Sequence, residues 1–208
     1  MALRLALQTP EQVAGIAIAG ASLPVPEDSS CPEQGSVPLL VVDGEKDPFN
    51  PIDGGRVTLF GFGYRGRALS AFDTAQTFAK RLGVTSAPQE IHLDPQKSGD
   101  PTSADGFLWP GARSPVVALY KIEGGGHVVP QPVFRYPRIL GHTTTAVDMP
   151  KLMIEMFHIA NDCVLAGGEY PFGSGHASSY RSGRVRVDPG PVSRPSLRQT
   201  GKSISWIE

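Results

Sequence analysis

Hydrophobic residues along this chain form short runs that are apolar on both faces, separated by stretches with helical spacing. The runs "AGIAIA" (14–19) and "PLLVV" (38–42) do not alternate with polar residues, which is typical of parallel strands covered on both sides. A third run, "VVALYKIE" (116–123), has the same character. The pattern therefore predicts three buried strands, near residues 15–19, 37–42 and 116–122.

Three segments carry the complementary helical pattern. Residues 1–8 read as a helix that lacks an N-cap residue. Ser70 is a good N-cap for a second helix, with Asp73 three residues further on and Gly83 at the end. Asp148 begins a third helix, with Pro150 in its first turn, where proline is tolerated. The core face of this last helix is predicted to contain Leu152, Met153, Met156, Phe157 and Ala160.

The alternation of strands and helices predicts an α/β fold with about three parallel strands and covering helices. Residues 86–111, rich in Pro, Gly and Ser, are interpreted as a long loop. We expect a partial α/β domain over residues 1–167. Residues 168–208, rich in Gly, Ser, Arg and Pro, are expected to form a flexible tail, and solvated disorder is favoured there over contacts with RNA or anionic lipid.

Composition changes this picture little. The 208 residues are 40% hydrophobic with a formal net charge of −1, which suits one globular domain and gives no basic field for nucleic acid or membrane. Residues 8–12 interrupt an otherwise signal-peptide-like opening, so a signal peptide is not predicted, and the compartment stays open. Cys31 and Cys163 are too few for a metal motif; two thiols are favoured over a single disulfide.

Candidate chemistry lies just after two of the predicted strands. Asp47 follows the second strand and His127 follows the third, and ligands of parallel sheets bind beyond these carboxyl ends. An aspartate and a histidine on one rim form the acid–base half of a Ser-His-Asp hydrolase, and Gly124–Gly126 would let the chain present the imidazole. A plain loop histidine after a glycine turn is the equally weighted alternative. Asp43 is a rival acid, weighted lower because Asp-Gly commonly marks a turn.

Several separated motifs resemble the polyhydroxybutyrate depolymerase-like esterases, an α/β-hydrolase group that includes feruloyl esterases. The resemblance covers roughly residues 1–160 and implies Asp47 as triad acid, His127 as triad base, no cofactor, and hydroxyalkanoate or aryl esters as substrates. The sequence departs from the family at Asp43, where a histidine is usual, and at Val128 and Val129, which replace Thr-Trp. The matching segments are "VPLLVVDGEKDPFNPIDGG", "VTLFGFGYRGRALSAFDTAQTFAKRLG", "FLWPG" and "VALYKIEGGGHVVP".

The nucleophile of such a hydrolase is missing from the sequence. No Gly-x-Ser-x-Gly motif occurs in the 208 residues, and the contexts of Ser22 and Ser174 do not suit a nucleophile. In the family, residues 1–24 resemble the helix and strand that follow the nucleophile elbow. We therefore expect a fragment, or a chain with a late start codon, of a longer esterase, inactive by itself. The alternative is a catalytically dead remnant that acts as a binding or interaction module.

Three other sequence features are compatible with a functional role, but an ordinary structural role is favoured for each. Residues 61–66 match Gly-x-Gly-x-x-Gly, but no helix opens at the last glycine, so a shaped loop is favoured over a cofactor site. His92 and Asp94 are too few for a metal site. Trp109, with Phe107, is a candidate floor of a substrate cleft, although packing is the commoner role of such aromatics.

Overall fold

A five-stranded mixed sheet forms the centre of the fold. The computed structural model describes residues 1–28, 35–112, 114–134 and 136–157. Within them the strand order is β1-β2-β7-β6-β5, and a separate two-stranded sheet pairs β3 with β4. The strands are β1 (Ile16–Ala19), β2 (Leu39–Gly44), β3 (Gly55–Arg56), β4 (Arg67–Ala68), β5 (Gln89–Leu93), β6 (Ser103–Trp109) and β7 (Val117–Glu123).

The three predicted strands are confirmed as neighbours that run parallel. Leu39 of β2 is in register with Ile16 of β1 and with Val117 of β7. Every residue of β2 is buried, as expected for the central strand of a parallel group with both faces covered. The carboxyl ends of β2 and β7 therefore lie side by side at one edge of the sheet.

The prediction of a loop over residues 86–111 is wrong. This segment contains β5 and β6, which pair with each other in antiparallel fashion, and β6 pairs antiparallel with β7. The fold is therefore a mixed α/β sheet rather than a parallel one. Strand β5 is exposed or half-buried along its whole length, so it lacks the apolar run that marked the other strands.

Helices cover both faces of the sheet. Helix α1 (Ala2–Gln8) and helix α2 (Ala71–Arg81) lie on the face that carries Leu39, Val41 and Leu119, and Phe78 of α2 is fully buried there. Helix α3 (Met149–Met156) covers the opposite face, against Leu40, Val42 and Tyr120.

The predicted helix starts are confirmed in detail. The hydroxyl of Ser70 accepts a hydrogen bond from the Asp73 N–H (2.9 Å) and donates one to the Asp73 carboxylate (2.7 Å). The carboxylate of Asp148 accepts from the Lys151 N–H, with Pro150 in the first turn. Met149 and Met156 are the buried residues of α3, and Leu152, Met153 and Phe157 pack beside them.

Part of the sequence-based expectation lies outside the described residues. This holds for Cys31, Cys163, the last predicted core position Ala160, and the tail from residue 168 onward. Among the described residues, no helix is both long enough and apolar enough to cross a membrane.

Candidate active site

The candidate site begins where strands β2 and β7 end together. The Glu45 N–H donates to the Ile122 carbonyl (2.9 Å), and the Lys46 N–H donates to the Gly125 carbonyl (2.8 Å). These bonds continue the parallel pairing beyond the strands. They fix the loop that carries Asp47 against the loop that carries His127.

Asp47 and His127 are joined by a hydrogen bond, as expected from their places after the two strands. Nδ1 of His127 lies 2.6 Å from Oδ2 of Asp47. The other oxygen, Oδ1, accepts the backbone N–H groups of Phe49 (2.7 Å) and Asn50 (3.0 Å). The Asp47 side chain is only 1% exposed. Its carboxylate is therefore held rigidly, with one oxygen free to accept from the imidazole.

The glycines before His127 are required by close backbone packing. Gly124 has φ +69°, a left-handed conformation that favours glycine. A Cβ on Gly126 would collide with the carbonyl oxygen of Leu140. This close approach lets the His127 N–H donate to that same carbonyl (2.7 Å), while the Gly126 N–H donates to the carbonyl of His142 (3.1 Å). The glycine run thus lets two consecutive backbone N–H groups anchor the chain at the imidazole.

The electrostatics of the pair favour a basic imidazole. The hydrogen bond to Asp47 raises the pKa of His127 above its usual value, partial burial opposes this rise, and the charges of Asp47 and Asp43 add to it. Because a carboxylate accepts hydrogen bonds, Nδ1 of His127 carries the hydrogen and donates it in the hydrogen bond to Asp47. Nε2 is then a free acceptor on a side chain that is 37% exposed. Such an imidazole can take a proton from a hydroxyl group brought to it.

Aromatic residues that the sequence analysis missed pack beside this imidazole. The rings of Phe49 and His127 meet edge to face, with centroids 4.7 Å apart, and Phe60 meets Phe49 in the same way at 4.8 Å. Phe60 belongs to a hairpin over residues 57–66, whose Thr58 N–H donates to the Phe49 carbonyl (3.2 Å). The exposed large side chains of this hairpin are Leu59, Phe60, Phe62 and Tyr64.

Asp43, the rival acid, is also buried but has a different hydrogen-bond partner. Its Oδ1 accepts the Gly20 N–H at 2.7 Å, and the residue is 1% exposed. Burial raises the pKa of Asp43 to about 7, although the N–H groups of Gly20 and Ala21 lower it. The carboxylate that reaches His127 is that of Asp47, so the geometry favours Asp47 as the partner of the imidazole.

The structure does not bring Trp109 to this site. Trp109 is 1% exposed and pairs with Val117, at the opposite end of β7 from His127. Its ring packs against that of Phe72 (5.5 Å), within the core. This placement argues against the predicted contact between Trp109 and a substrate and favours packing.

The remaining candidates have structural surroundings. His92 lies in β5 rather than in a loop, with Nδ1 2.7 Å from the Asp105 carboxylate on β6 and Nε2 3.6 Å from that of Asp94. In the described part of the chain, no cluster of three or more His, Cys, Asp or Glu could hold a metal ion. The Gly-x-Gly-x-x-Gly segment, 61–66, lies in the exposed hairpin, and the next helix begins only at Ala71.

Comparison with known proteins finds a relative that is named as an esterase. The chain is 30% identical over 150 residues to a protein of Nocardia uniformis subsp. tsuyamanensis named "Putative esterase NocK". The match includes 69% of this chain and 43% of that protein, so the chain spans less than half of its relative's length. No family model and no solved structure matches the chain.

Proposed function

We propose that this chain carries the acid–base pair of a serine carboxylic-ester hydrolase, with Asp47 as acid and His127 as base. The observation that carries the proposal is the 2.6 Å contact between a buried, backbone-held carboxylate and a partly exposed imidazole. The similarity to a protein named as an esterase supports a general hydrolase function. From the Asp47–His127 contact and this similarity, the proposal goes on to a specific reaction, the hydrolysis of a carboxylic ester by a serine nucleophile.

In the proposed reaction, Nε2 of His127 removes the proton from a serine hydroxyl as its oxygen attacks the ester carbonyl. The imidazolium then protonates the leaving alcohol, and water hydrolyses the acyl-enzyme by the same route. Asp47 holds the Nδ1–H tautomer and stabilises the imidazolium. The sequence contains no Gly-x-Ser-x-Gly motif, so the proposal takes the serine and its oxyanion donor from outside these 208 residues. The chain by itself is expected to be inactive.

We further propose an apolar or aryl ester, of the polyhydroxyalkanoate or feruloyl type, as substrate. Phe49 contacts the imidazole and Phe60 contacts Phe49, while Phe62 and Tyr64 of the same hairpin are also exposed. Contiguous exposed apolar side chains often mark a ligand-binding or interaction site. An ester placed with its carbonyl at His127 would rest its apolar part on these rings.

The test uses the protein extended upstream to whatever the gene encodes before Met1, assayed with p-nitrophenyl butyrate. His127→Ala is expected to abolish turnover, and Asp47→Asn to reduce kcat by roughly 10⁴ through loss of the correct tautomer. The matched controls are His92→Ala and Asp105→Asn, which disrupt the other His–Asp pair of the described chain. These variants are expected to keep wild-type rates.

Two results would contradict the proposal. One is an extended protein whose ester turnover survives His127→Ala. The other is an extended, folded protein without turnover on short-chain or aryl esters, which favours a non-catalytic binding module instead. Turnover by the 208-residue chain that a fluorophosphonate blocks would show that it contains a nucleophile not recognised in its sequence.

A further inference from the structure

Asp43 is a buried carboxyl group to which the proposed reaction gives no role. It lies at the end of β2, four residues before Asp47, and is 1% exposed. Oδ1 accepts the Gly20 N–H, whereas Oδ2 is buried without a hydrogen-bond partner among the described residues. Burying a carboxyl group with one oxygen unsatisfied is costly. Such a group calls for an explanation beyond packing.

The partner of Asp43 lies directly on the proposed acid–base pair. Gly20 follows β1 with φ +64°, which turns the chain sharply across the ends of the strands. A Cβ on Gly20 would collide with Nδ1 of His127 and would lie 2.6 Å from Cε1 and 3.0 Å from Oδ2 of Asp47. The Gly20 backbone therefore covers the hydrogen bond between the imidazole and the carboxylate from one side.

We propose that Asp43 is a positioning residue, whose hydrogen bond to the Gly20 N–H holds the Gly20–Ala21 corner over the His127–Asp47 hydrogen bond and keeps water from it. A hydrogen bond in a water-excluded site is electrostatically stronger than an exposed one. Removing the acceptor at residue 43 releases the corner, admits water to Nδ1, and lowers the basicity that Asp47 confers on His127. This inference concerns the geometry of the pair and can be tested without any ester substrate.

The chain offers an internal comparison. Nδ1 of His92 lies 2.7 Å from Asp105, close to the corresponding distance in the His127–Asp47 pair. Both side chains of the His92 pair are more than half exposed, at 56% and 55%. If the corner shields His127, its Nδ1–H exchanges with water much more slowly than that of His92 in the same molecule.

The experiment is ¹H–¹⁵N NMR of the 208-residue protein and two variants. Asp43→Asn keeps an oxygen that can accept from Gly20, whereas Asp43→Leu has the same branched shape, is larger, and has no acceptor. In Asp43→Leu, we expect the His127 Nδ1–H resonance and the Gly20 amide to exchange at least tenfold faster, and the pKa of His127 to fall. Asp43→Asn is expected to retain slow exchange at both sites. Resonances of His92 serve as the internal reference in every sample.

The outcomes separate positioning from simple packing. A folded Asp43→Leu protein with unchanged His127 exchange and pKa would overturn the proposal. If that variant does not fold, Asp43→Asn decides: slow exchange at Gly20 with a lost His127 resonance would show that the charge, not the hydrogen bond, matters. These NMR measurements do not depend on ester hydrolysis. If the extended protein proved inactive, the proposed function would fail while this inference could still be tested.

Discussion

Phe60 contacts Phe49 edge to face although its own backbone is in the left-handed region. The two ring centroids lie 4.8 Å apart, and φ of Phe60 is +51°. Phe60 and Gly61 are the two central residues of a turn closed by reciprocal hydrogen bonds between Leu59 and Phe62 (2.8 and 2.9 Å). Such turns favour Asn-Gly, because asparagine tolerates positive φ better than a bulky side chain does. Phe60 is therefore held in a strained backbone conformation at the position where its ring contacts Phe49.

Replacing this phenylalanine separates backbone strain from ring contact. We expect Phe60→Asn to change the free energy of unfolding by no more than about 1 kcal/mol, because relief of roughly 1 kcal/mol of strain offsets the lost aromatic contact. In the extended protein, KM for an aryl ester should rise while kcat changes little. Urea unfolding and steady-state kinetics measure the two effects.

Phe62→Asn is the matched control, since Phe62 lies in the same turn, is 80% exposed and has no left-handed backbone. It is expected to leave the Phe49 and His127 ring resonances in place, whereas Phe60→Asn shifts them. Identical spectra for the two variants would contradict the ring contact.

Gly20→Ala should disrupt the His127–Asp47 hydrogen bond directly. The added methyl group meets the imidazole and Oδ2 of Asp47, and positive φ adds backbone strain of about 1 kcal/mol. We expect loss of the low-field His127 Nδ1–H resonance and, under the proposed function, a decrease in kcat of the extended protein of at least 10²-fold, because small displacements of reacting groups have effects of this size.

Gly83→Ala provides the control for backbone strain alone. Gly83 has φ +80°, but nothing lies within 4 Å of its hypothetical Cβ. This variant should lose comparable backbone stability by thermal unfolding and keep the His127 resonance. If Gly83→Ala removed that resonance too, global destabilisation rather than the local clash would be the cause.

Asp43 should make stability depend on pH in a specific direction. Burial raises its folded-state pKa from 3.8 to about 7, so between these values the folded protein binds a proton that the unfolded chain does not. The contribution of Asp43 to the free energy of unfolding is therefore fully present below pH 3.8 and is lost as pH rises to about 7. At about 1.4 kcal/mol per pKa unit, the loss across this window is on the order of 4 kcal/mol.

Asp43→Asn should remove this part of the pH dependence, as measured by urea unfolding at several pH values. The charges that face Asp43 are those of Asp47 and His127; Lys121, its register partner on β7, points toward Asp53 instead, 4.0 Å away. His127 is also titratable, and its pKa is raised by Asp47, so the comparison is repeated in a His127→Gln background. Equal pH profiles with and without the Asp43→Asn substitution in that background would contradict the prediction.

Sequence patterns predicted the three parallel strands, whose residues form continuous apolar runs. β2 is buried at every residue, and its neighbours β1 and β7 were equally recognisable from their apolar runs. Strand β5 was missed because its residues are exposed or half-buried and form no apolar run, and β6 was missed with it. β6 pairs with β7, and β5 pairs with β6, so backbone pairing rather than an apolar run in their own residues holds these two strands in the sheet.

The same distinction applies to the candidate site. Asp47 and His127 could be paired from the sequence, because parallel strands bring their carboxyl ends to one edge. The approach of Gly20 to His127 joins residues far apart in the chain, and nothing in "AGAS" indicates it. The edge-to-face contact of Phe49 likewise depends on a loop conformation that composition does not specify.

The raised pKa of His127 gives the final prediction. Its largest cause is the hydrogen bond to Asp47, while partial burial acts in the opposite direction. Asp47→Asn should therefore move the pKa of His127 from above its usual value of 6.5 to below it, because burial then acts unopposed except by the charge of Asp43. In the wild type, the pair stabilises the fold fully below pH 6.5, and this contribution is lost as pH rises through the folded-state pKa. NMR titration of the imidazole Cε1–H measures the shift, and Asp105→Asn should lower only the pKa of His92, which its bond to Asp105 raises. A His127 pKa that is unchanged in Asp47→Asn would mean that the 2.6 Å contact is not maintained in solution.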